Sequence, residues 1–345
     1  MSNYKHLLVI RLSAMGDVAM TIPVLRAFVK QHPTTKITVL SKPFLKPLFA
    51  DIKNVNFYAA DVTKEHKGFF GLLKLYKELK LLNIDAVADL HNVLRSKIVR
   101  TFFKLSIKNV SFIDKGRTEK KALTSTKNKV FKQLKTTHER YADVFRNLGF
   151  QLDLSNPEFP QQLQLTQEII KITGAKTEKW IGIAPFAQYN SKMYPLDLME
   201  QVISELSKKE NLKVLLFGGG KKEVDFLDKI ANNYINTINV AGKIKFGVEL
   251  NLISNLDCML SMDSGNAHFS AMFGVPTITI WGITHPFTGF APFNQPLENA
   301  LLPDLEKYPN IPCSIYGNKV CEGYEDVMRT ISPKDVVQKL INTIK

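Results

Sequence analysis

The chain opens on an apolar run, His6 to Leu12, followed by Ser13-Ala14-Met15-Gly16-Asp17 and then by apolar positions recurring at helical spacing from Val18 to Lys30. That succession predicts a strand, a loop and a helix. Lys36 to Ser41 and Val55 to Tyr58 predict two more strands, Phe69 to Leu82 an amphipathic helix, and Ala86 to Leu90 a further strand. A second alternation begins at Trp180 to Ala184, with helical patterns over Pro195 to Lys208, Val224 to Asn232 and Asn266 to Phe273. The strands between them are Lys213 to Phe217, Cys258 to Ser261 and Thr277 to Trp281. Strands alternating with helices point to an α/β protein whose parallel sheets are covered on both faces.

At 345 residues the chain exceeds one hydrophobic core and predicts two domains. Asp153 to Pro160, with Asn156-Pro157 and Phe159-Pro160, disfavours helix and interrupts a ladder. It predicts the connection between Rossmann-like domains at 1–160 and 161–330. Residues 331–345 follow as a terminal helix, with Ser332 as N-cap and Pro333 at the first helical position. Two such halves in tandem can turn the carboxyl ends of their sheets to one central cleft, a layout that suits a two-substrate transferase.

Composition is that of a globular protein, 45% hydrophobic and 23% charged, with no stretch long enough to cross a bilayer and no signal sequence. A cytoplasmic protein is expected. Cys258, Cys313 and Cys321 lack paired C-x-x-C spacing, so Cys313 and Cys321 are expected to remain thiols. The net charge of +14 is unevenly spread: residues 1–150 hold 28 Lys and Arg against 11 Asp and Glu, leaving 18 against 21 in the remainder. The first half therefore suits an anionic partner, or else carries a solubilising surface. Nucleic acid is disfavoured as that partner because no recognition motif or basic-aromatic platform accompanies the charge.

Several loops lie where a doubly wound sheet exposes ligand-binding groups, between a strand and the next helix. In the first, Gly16 lets backbone approach a ligand, and Asp17 reads either as a helix N-cap or as a base. Pro23 kinks the following helix unless that helix begins near Thr21. Gly218-Gly219-Gly220 lacks full G-x-G-x-x-G spacing and reads equally as a tight turn, which argues against a nucleotide-dependent oxidoreductase. Glu223 after it either accepts bonds from a ribose or favours the positive end of its helix.

Met262-Asp263-Ser264-Gly265-Asn266-Ala267-His268 offers N–H groups to an anion such as a diphosphate, with His268 a ligand contact or a core histidine. Lys192, in the polar loop before Pro195, either neutralises a departing diphosphate or is a solvated surface lysine. No D-x-D pair occurs, so no carboxylate clamp for a metal is offered and no cofactor is expected.

Taken in order, Arg11-Leu12-Ser13-Ala14-Met15-Gly16-Asp17 with Thr21-Ile22-Pro23, Lys192-Met193-Tyr194-Pro195, Gly218-Gly219, Asp263-Ser264-Gly265 with His268, and Gly274-Val275-Pro276 resemble the lipopolysaccharide heptosyltransferases. The resemblance runs from the N-terminus to about Pro286. It implies a GT-B glycosyltransferase whose terminal helix can return to the first domain. It also implies an inverting, metal-independent transfer from an ADP-heptose-like nucleotide-diphosphate sugar to an anionic glycolipid at the inner membrane leaflet. Asp17 matches the general base, and Lys192, Glu223, Asp263, Ser264, Gly265 and His268 match donor-side positions. The sequence departs at Asn266, where proline is usual, at Met262, where asparagine is common, and at Tyr194, where tryptophan is frequent.

Lys115 to Lys135 holds eight Lys or Arg against the single acid Glu119 and is expected as a mobile loop of the acceptor half. Lys120, Lys121, Lys127, Lys129 and Lys132 are expected to form a peripheral patch for anionic lipid and acceptor. His91, Arg95 and Lys97, just beyond Leu90, are further places for acceptor contacts.

Overall fold

In the computed structural model, which describes residues 4–106 and 109–345, His6–Ile10 forms strand β1 and is buried at all five positions. A strand without an exposed face belongs inside a sheet covered on both sides. With β2 (Lys36–Ser41), β3 (Val55–Ala59), β4 (Ala86–Asp89) and β5 (Val110–Phe112) it makes a parallel sheet in the order β3-β2-β1-β4-β5. The helix expected from Val18 is two helices, α1 (Met15–Ala19) and α2 (Thr21–Gln31). Pro23 falls in the first turn of α2, where a missing N–H costs no intrahelical bond. The Thr21 hydroxyl donates to the Val18 carbonyl at 2.7 Å across the break.

On one face, α3 (Gly68–Lys80) and α4 (Leu94–Ser106) bring Leu72, Leu75, Leu79, Val99 and Phe103 onto Leu8, Ile10, Leu40 and Val87. Phe28 of α2 meets Phe145 and Phe150 at 4.8 and 4.9 Å between ring centroids.

Two compact units result, the first of Met1–Lys115 and Lys135–Phe159, the second of Gly116–Leu134 and Pro160–Lys345. Residues 116–134 therefore pack with the second unit, not with the acceptor half in which they were expected. They contain α5 (Arg117–Leu123), and the Leu134 N–H donates to the Phe287 carbonyl at 3.0 Å. The chain then adds α6 (Thr137–Arg146) to the first unit, capped where the Thr136 hydroxyl accepts from the Glu139 N–H.

The second unit follows with α7 (Gln167–Thr173), β6 (Lys179–Ala184), α8 (Leu196–Ser207), β7 (Leu212–Leu216) and α9 (Lys221–Asn233). Next come β8 (Thr237–Asn239), α10 (Phe246–Ile253), β9 (Cys258–Met262) and α11 (Gly265–Ala271). The chain ends with β10 (Thr277–Ile280), β11 (Ala300–Leu301) and α12 (Pro333–Ile344). Its sheet is again parallel, in the order β11-β10-β9-β6-β7-β8. Rather than returning to the first domain, α12 packs on α8 and β9 and buries Val336 and Leu340 in the core of its own unit.

Cys313 and Cys321 are joined in a disulfide, which overturns the expectation of two thiols. The loop between them turns back at Gly317, where φ is +82°, and the Ser314 hydroxyl accepts from the N–H groups of Tyr316 and Gly317. That turn brings the two Cα atoms to 5.8 Å, inside the range a disulfide spans. The sequence pattern carries no sign of it.

Because Phe28 is fully buried among Phe145 and Phe150, Phe28→Ala is expected to destabilise the first unit by about 3–5 kcal/mol. Denaturant unfolding followed by tryptophan and by far-ultraviolet signals checks this, since both tryptophans, Trp180 and Trp281, lie in the second unit. The far-ultraviolet transition should shift while the tryptophan transition stays.

Candidate functional site

At the carboxyl end of β1 the chain places a cation in the interior. Arg11 is 6% exposed, and such a group needs a counter-charge and acceptors. Its guanidinium meets Asp17 Oδ2 at 2.6 Å and donates to the Leu90 carbonyl at 2.9 Å. Burial disfavours its charge, but Tyr141 and the Asp17 carboxylate outweigh that, and its pKa is raised.

Asp17 stands at the third position of α1, and the N-cap is Ala14, whose N–H reaches Asp17 Oδ2 at 3.3 Å. The carboxylate thus closes the first turn from inside the helix. Oδ1 has no hydrogen-bond partner among the described residues, and the side chain is 29% exposed. One oxygen is fixed and the other is available.

His91, after β4, accepts the Leu12 N–H on Nδ1 at 3.4 Å, which leaves the ring proton on Nε2. Burial, reinforced by Arg11 and Lys115, pushes its pKa down to about 3. Asp89 beside it is fully buried: its carboxylate accepts from the N–H groups of His91 and Asn92 and pairs with Arg100 at 3.0 Å. Arg95 is exposed at the start of α4.

In the second unit, Lys192 and Asp263 form a pair at 2.8 Å with side chains 14% and 8% exposed. The Thr284 hydroxyl donates to the same Asp263 oxygen at 2.9 Å. Lys192 is held from behind: a Cβ on Gly317 would fall 2.4 Å from its Cδ, and one on Gly282 would fall 2.2 Å from the Ser191 carbonyl oxygen. Ser264 is the N-cap of α11, makes no capping bond with its side chain, and has its hydroxyl 3.2 Å from that of Ser261. Gly265 opens α11 and His268 is buried within it. Glu223 folds back so that the Gly219 N–H donates to Oε2 at 2.7 Å, making it a brace for the glycine loop.

Two of the three departures from the family pattern touch each other. The Tyr194 N–H donates to Met262 Sδ at 3.2 Å, and the Tyr194 hydroxyl to the Ile331 carbonyl at 2.6 Å. Both side chains are fully buried. The third, Asn266, has a buried Oδ1 with no hydrogen-bond partner among the described residues.

The five-lysine patch is not one surface. Lys121, Lys127 and Lys132 are exposed, but Lys120 is buried with its ammonium 4.3 Å from the centroid of Phe290. Lys129 donates to the Asn310 and Pro312 carbonyls at 2.7 and 3.2 Å, and burial lowers its pKa to about 8. These two cations fasten 116–134 to its own unit.

Glu65, His66 and Glu78 lie close enough to hold a metal ion. However, His66 Nδ1 accepts the Asp61 N–H at 3.1 Å, so the proton sits on Nε2, which faces Glu78 at 3.1 Å. That tautomer presents Glu78 with a donor and a metal with no lone pair.

Sequence reasoning gave no role to Arg11, Asp89, Arg100, Thr284 or Gly317. Arg11 had a signal, a charge directly after an apolar run; the others depend on contacts between distant segments.

The family model for glycosyltransferase family 9 (heptosyltransferase) matches residues 72–314. The chain is similar to the lipopolysaccharide core heptosyltransferase OpsX of Haemophilus influenzae, 26% identical over 302 residues that cover 86% of this chain and 84% of the relative. Among solved structures, the glycosyl transferase family 9 protein of Veillonella parvula matches with a TM-score of 0.76 at 19% identity, over 99% of this chain and 97% of that one. The Escherichia coli ADP-heptose LPS heptosyltransferase II matches with a TM-score of 0.70 at 20% identity, over 98% of both chains.

The buried histidines generate a pH dependence. His285, lowered to about 4 by burial and by Lys129, behaves like His91. Each stays neutral in the folded chain where the unfolded chain, with a pKa of about 6.5, takes up a proton. Stability therefore falls as pH drops below about 6.5 and levels off near the folded values. Glu249, raised to about 7 by burial, works in the opposite direction over part of this window, so the expected observation is a difference. His91→Gln should lose less stability than wild type between pH 6.5 and 4, measured by denaturant midpoints.

Proposed function

We propose that this chain, which belongs to glycosyltransferase family 9 (heptosyltransferase), transfers a heptose from ADP-heptose to a lipopolysaccharide core or a related anionic glycolipid, with inversion. Family membership sets aside the oxidoreductase reading, and the enzyme is a glycosyltransferase. The observation that carries the mechanism is the carboxylate of Asp17, with Oδ2 fixed by Arg11 and the Ala14 N–H and Oδ1 unbonded among the described residues. Oriented in this way, Oδ1 takes the proton of the acceptor hydroxyl as that oxygen attacks the anomeric carbon. The bond to the diphosphate breaks with its electron pair leaving on the nucleotide, and a single displacement inverts the centre.

On the donor side, Lys192 supplies the positive charge for the departing diphosphate. Asp263 and Thr284 hold that ammonium in place. Ser264, Gly265 and His268 line the same loop and helix start, and Glu223 keeps the glycine loop folded, with its second oxygen left for a ribose. No metal takes part in this scheme, because the cation at the leaving group is a side chain.

The acceptor is a lipid-linked sugar, so the enzyme works in the cytoplasm against the inner leaflet. Arg95, Lys121, Lys127 and Lys132 remain the exposed cations suited to its anionic groups. An alternative donor, another nucleotide sugar, is favoured by one observation, the unpaired Oδ1 of Asn266 beside the donor motif.

Thermal-shift measurements with ADP, UDP and GDP separate the donors, since a ligand of the native state raises the midpoint; ADP is expected to give the largest rise. Asp17→Asn is expected to lower turnover by roughly 10² to 10⁴ with the ADP shift unchanged; near-normal turnover at saturating substrate would remove Asp17 as the base. Lys192→Ala should instead diminish the ADP shift itself, and calorimetry showing unaltered nucleotide affinity would reassign the donor side.

A further inference from the structure

Among the described residues, four of the first unit's eight large exposed apolar side chains lie on one pair of helices, and a fifth, Leu81, directly follows α3. Phe69 and Phe70, in the first turn of α3, are 55% and 83% exposed, and Leu94 and Leu105 of α4 are 74% and 80% exposed. The Phe69 ring lies 5.8 Å from both Phe70 and Phe102, and Phe102 lies 5.3 Å from Tyr76, so the aromatic side chains run continuously from α3 to α4. Along α4 the core face is Ser96, Val99 and Phe103. Leu94, Ile98, Phe102 and Leu105 recur at steps of four, four and three residues and form a second apolar stripe. Ile98 and Phe102 of this stripe pack on the core and on Tyr76 of α3, whereas Leu94 and Leu105 at its ends face solvent.

The charges around that stripe are mostly positive. Together α3 and α4 carry seven Lys and Arg and one acid, Glu78. Lys74 pairs with Glu65 and Arg100 with Asp89. Lys77, Lys80, Arg95, Lys97 and Lys104, with Lys67 just before α3, are exposed and make no ion pair among the described residues. Counted by structural unit, the first holds 22 Lys and Arg against 12 acids and the second 24 against 20, so the excess remains on the unit that bears this stripe.

We propose that the α3–α4 face is the surface by which the protein seats on an anionic lipid bilayer. Phe70, Phe69 and Leu105 enter the boundary between headgroups and acyl chains, and the surrounding lysines lie at phosphate level. No helix among the described residues is long and apolar enough to cross a membrane, so the contact is interfacial. A second copy of the chain fits less well, because a two-fold interface would set the same unpaired cations against one another. The proposal rests on the reading that the acceptor is a glycolipid, and it replaces the lysines of 115–135 as the anchoring surface.

The test is co-sedimentation of the full chain with vesicles of phosphatidylcholine, with and without phosphatidylglycerol, at low and high salt. Wild type should bind the anionic vesicles and release at high salt. Phe70→Ser with Leu105→Ser changes two side chains that are at least 80% exposed, so the fold and the ADP thermal shift should be retained while vesicle binding drops roughly ten-fold or more. Lys97→Gln with Lys104→Gln should weaken binding and flatten its salt dependence. Equal vesicle binding by wild type and both double variants overturns this surface and leaves the glycolipid acceptor standing. Absence of binding by wild type overturns the membrane seat altogether. Self-association of wild type that Phe70→Ser with Leu105→Ser abolishes, without any vesicle binding, overturns it in favour of a face between copies. Loss of the ADP shift in wild type would strike the transferase reading and not this surface.

Discussion

The structure of the first unit depends on a buried guanidinium. Arg11 follows a strand with no exposed residue, and a charge at that depth is tolerated only where acceptors and a counter-charge converge on it. The Leu90 carbonyl does so from just after β4, and Asp17 from the first turn of α1. This requirement orders the loop between β1 and α1, because the carboxylate that neutralises Arg11 also closes the first turn of the helix through Ala14. The same cation helps to keep His91 neutral, and His91 in turn accepts the Leu12 N–H one residue beyond Arg11. Orientation of the carboxylate and the shape of the loop are one arrangement, and removing Arg11 would release both.

The second unit uses the same device with the signs placed differently. Lys192 and Asp263 come from the loops after β6 and β9, adjacent strands in the sheet, so the parallel order brings them together. Asp263 holds the ammonium, and backbone proximity confines the stem that carries it. Gly317 and Gly282 allow neighbouring chain to press on Lys192 and Ser191 where any side chain would collide. Gly317 is itself held in the loop that the Cys313–Cys321 disulfide closes. Segment 310–312 receives Lys129 through two carbonyls, so the 116–134 insertion is tied to the chain that leads into that loop.

Much of this was legible in the sequence. Buried strands announce themselves as short apolar runs, and those before Asp17, Lys192, Gly218 and Asp263 were readable because no polar face interrupts them. Three-residue strands such as Val110–Phe112 and Thr237–Asn239 carry too little pattern, and in Phe246–Ile253 the alternation Val248-Glu249-Leu250-Asn251-Leu252 masks the helical period. The role of Asp17 lay between cap and base in sequence because the two need the same residue type at the same place. The structure puts it at the third helical position with one oxygen uncommitted. The basic segment misled for a different reason. A count of lysines does not show that Lys120 lies over Phe290 or that Lys129 ends on two carbonyls, since burial of a cation depends on what the rest of the chain brings to it.

The departures from the family pattern differ in what their burial allows them to touch. Tyr194 and Met262 are fully buried and bonded to each other, and Tyr194 also ties its loop to Ile331, just before α12. Side chains with no exposed surface have none to offer a ligand, and because they meet, a change in one constrains the other. They form a matched pair beside the loops that carry Lys192 and Asp263, and could affect a ligand there only by moving backbone. Asn266 is different: it lies in the first turn of α11, half-buried, with an acceptor that no donor among the described residues satisfies. A buried acceptor without a partner is costly, and a ligand that brings a donor to it would recover that cost. Under the proposed function, Asn266 is therefore the departure able to meet a ligand directly, and the two larger substitutions behind it are not.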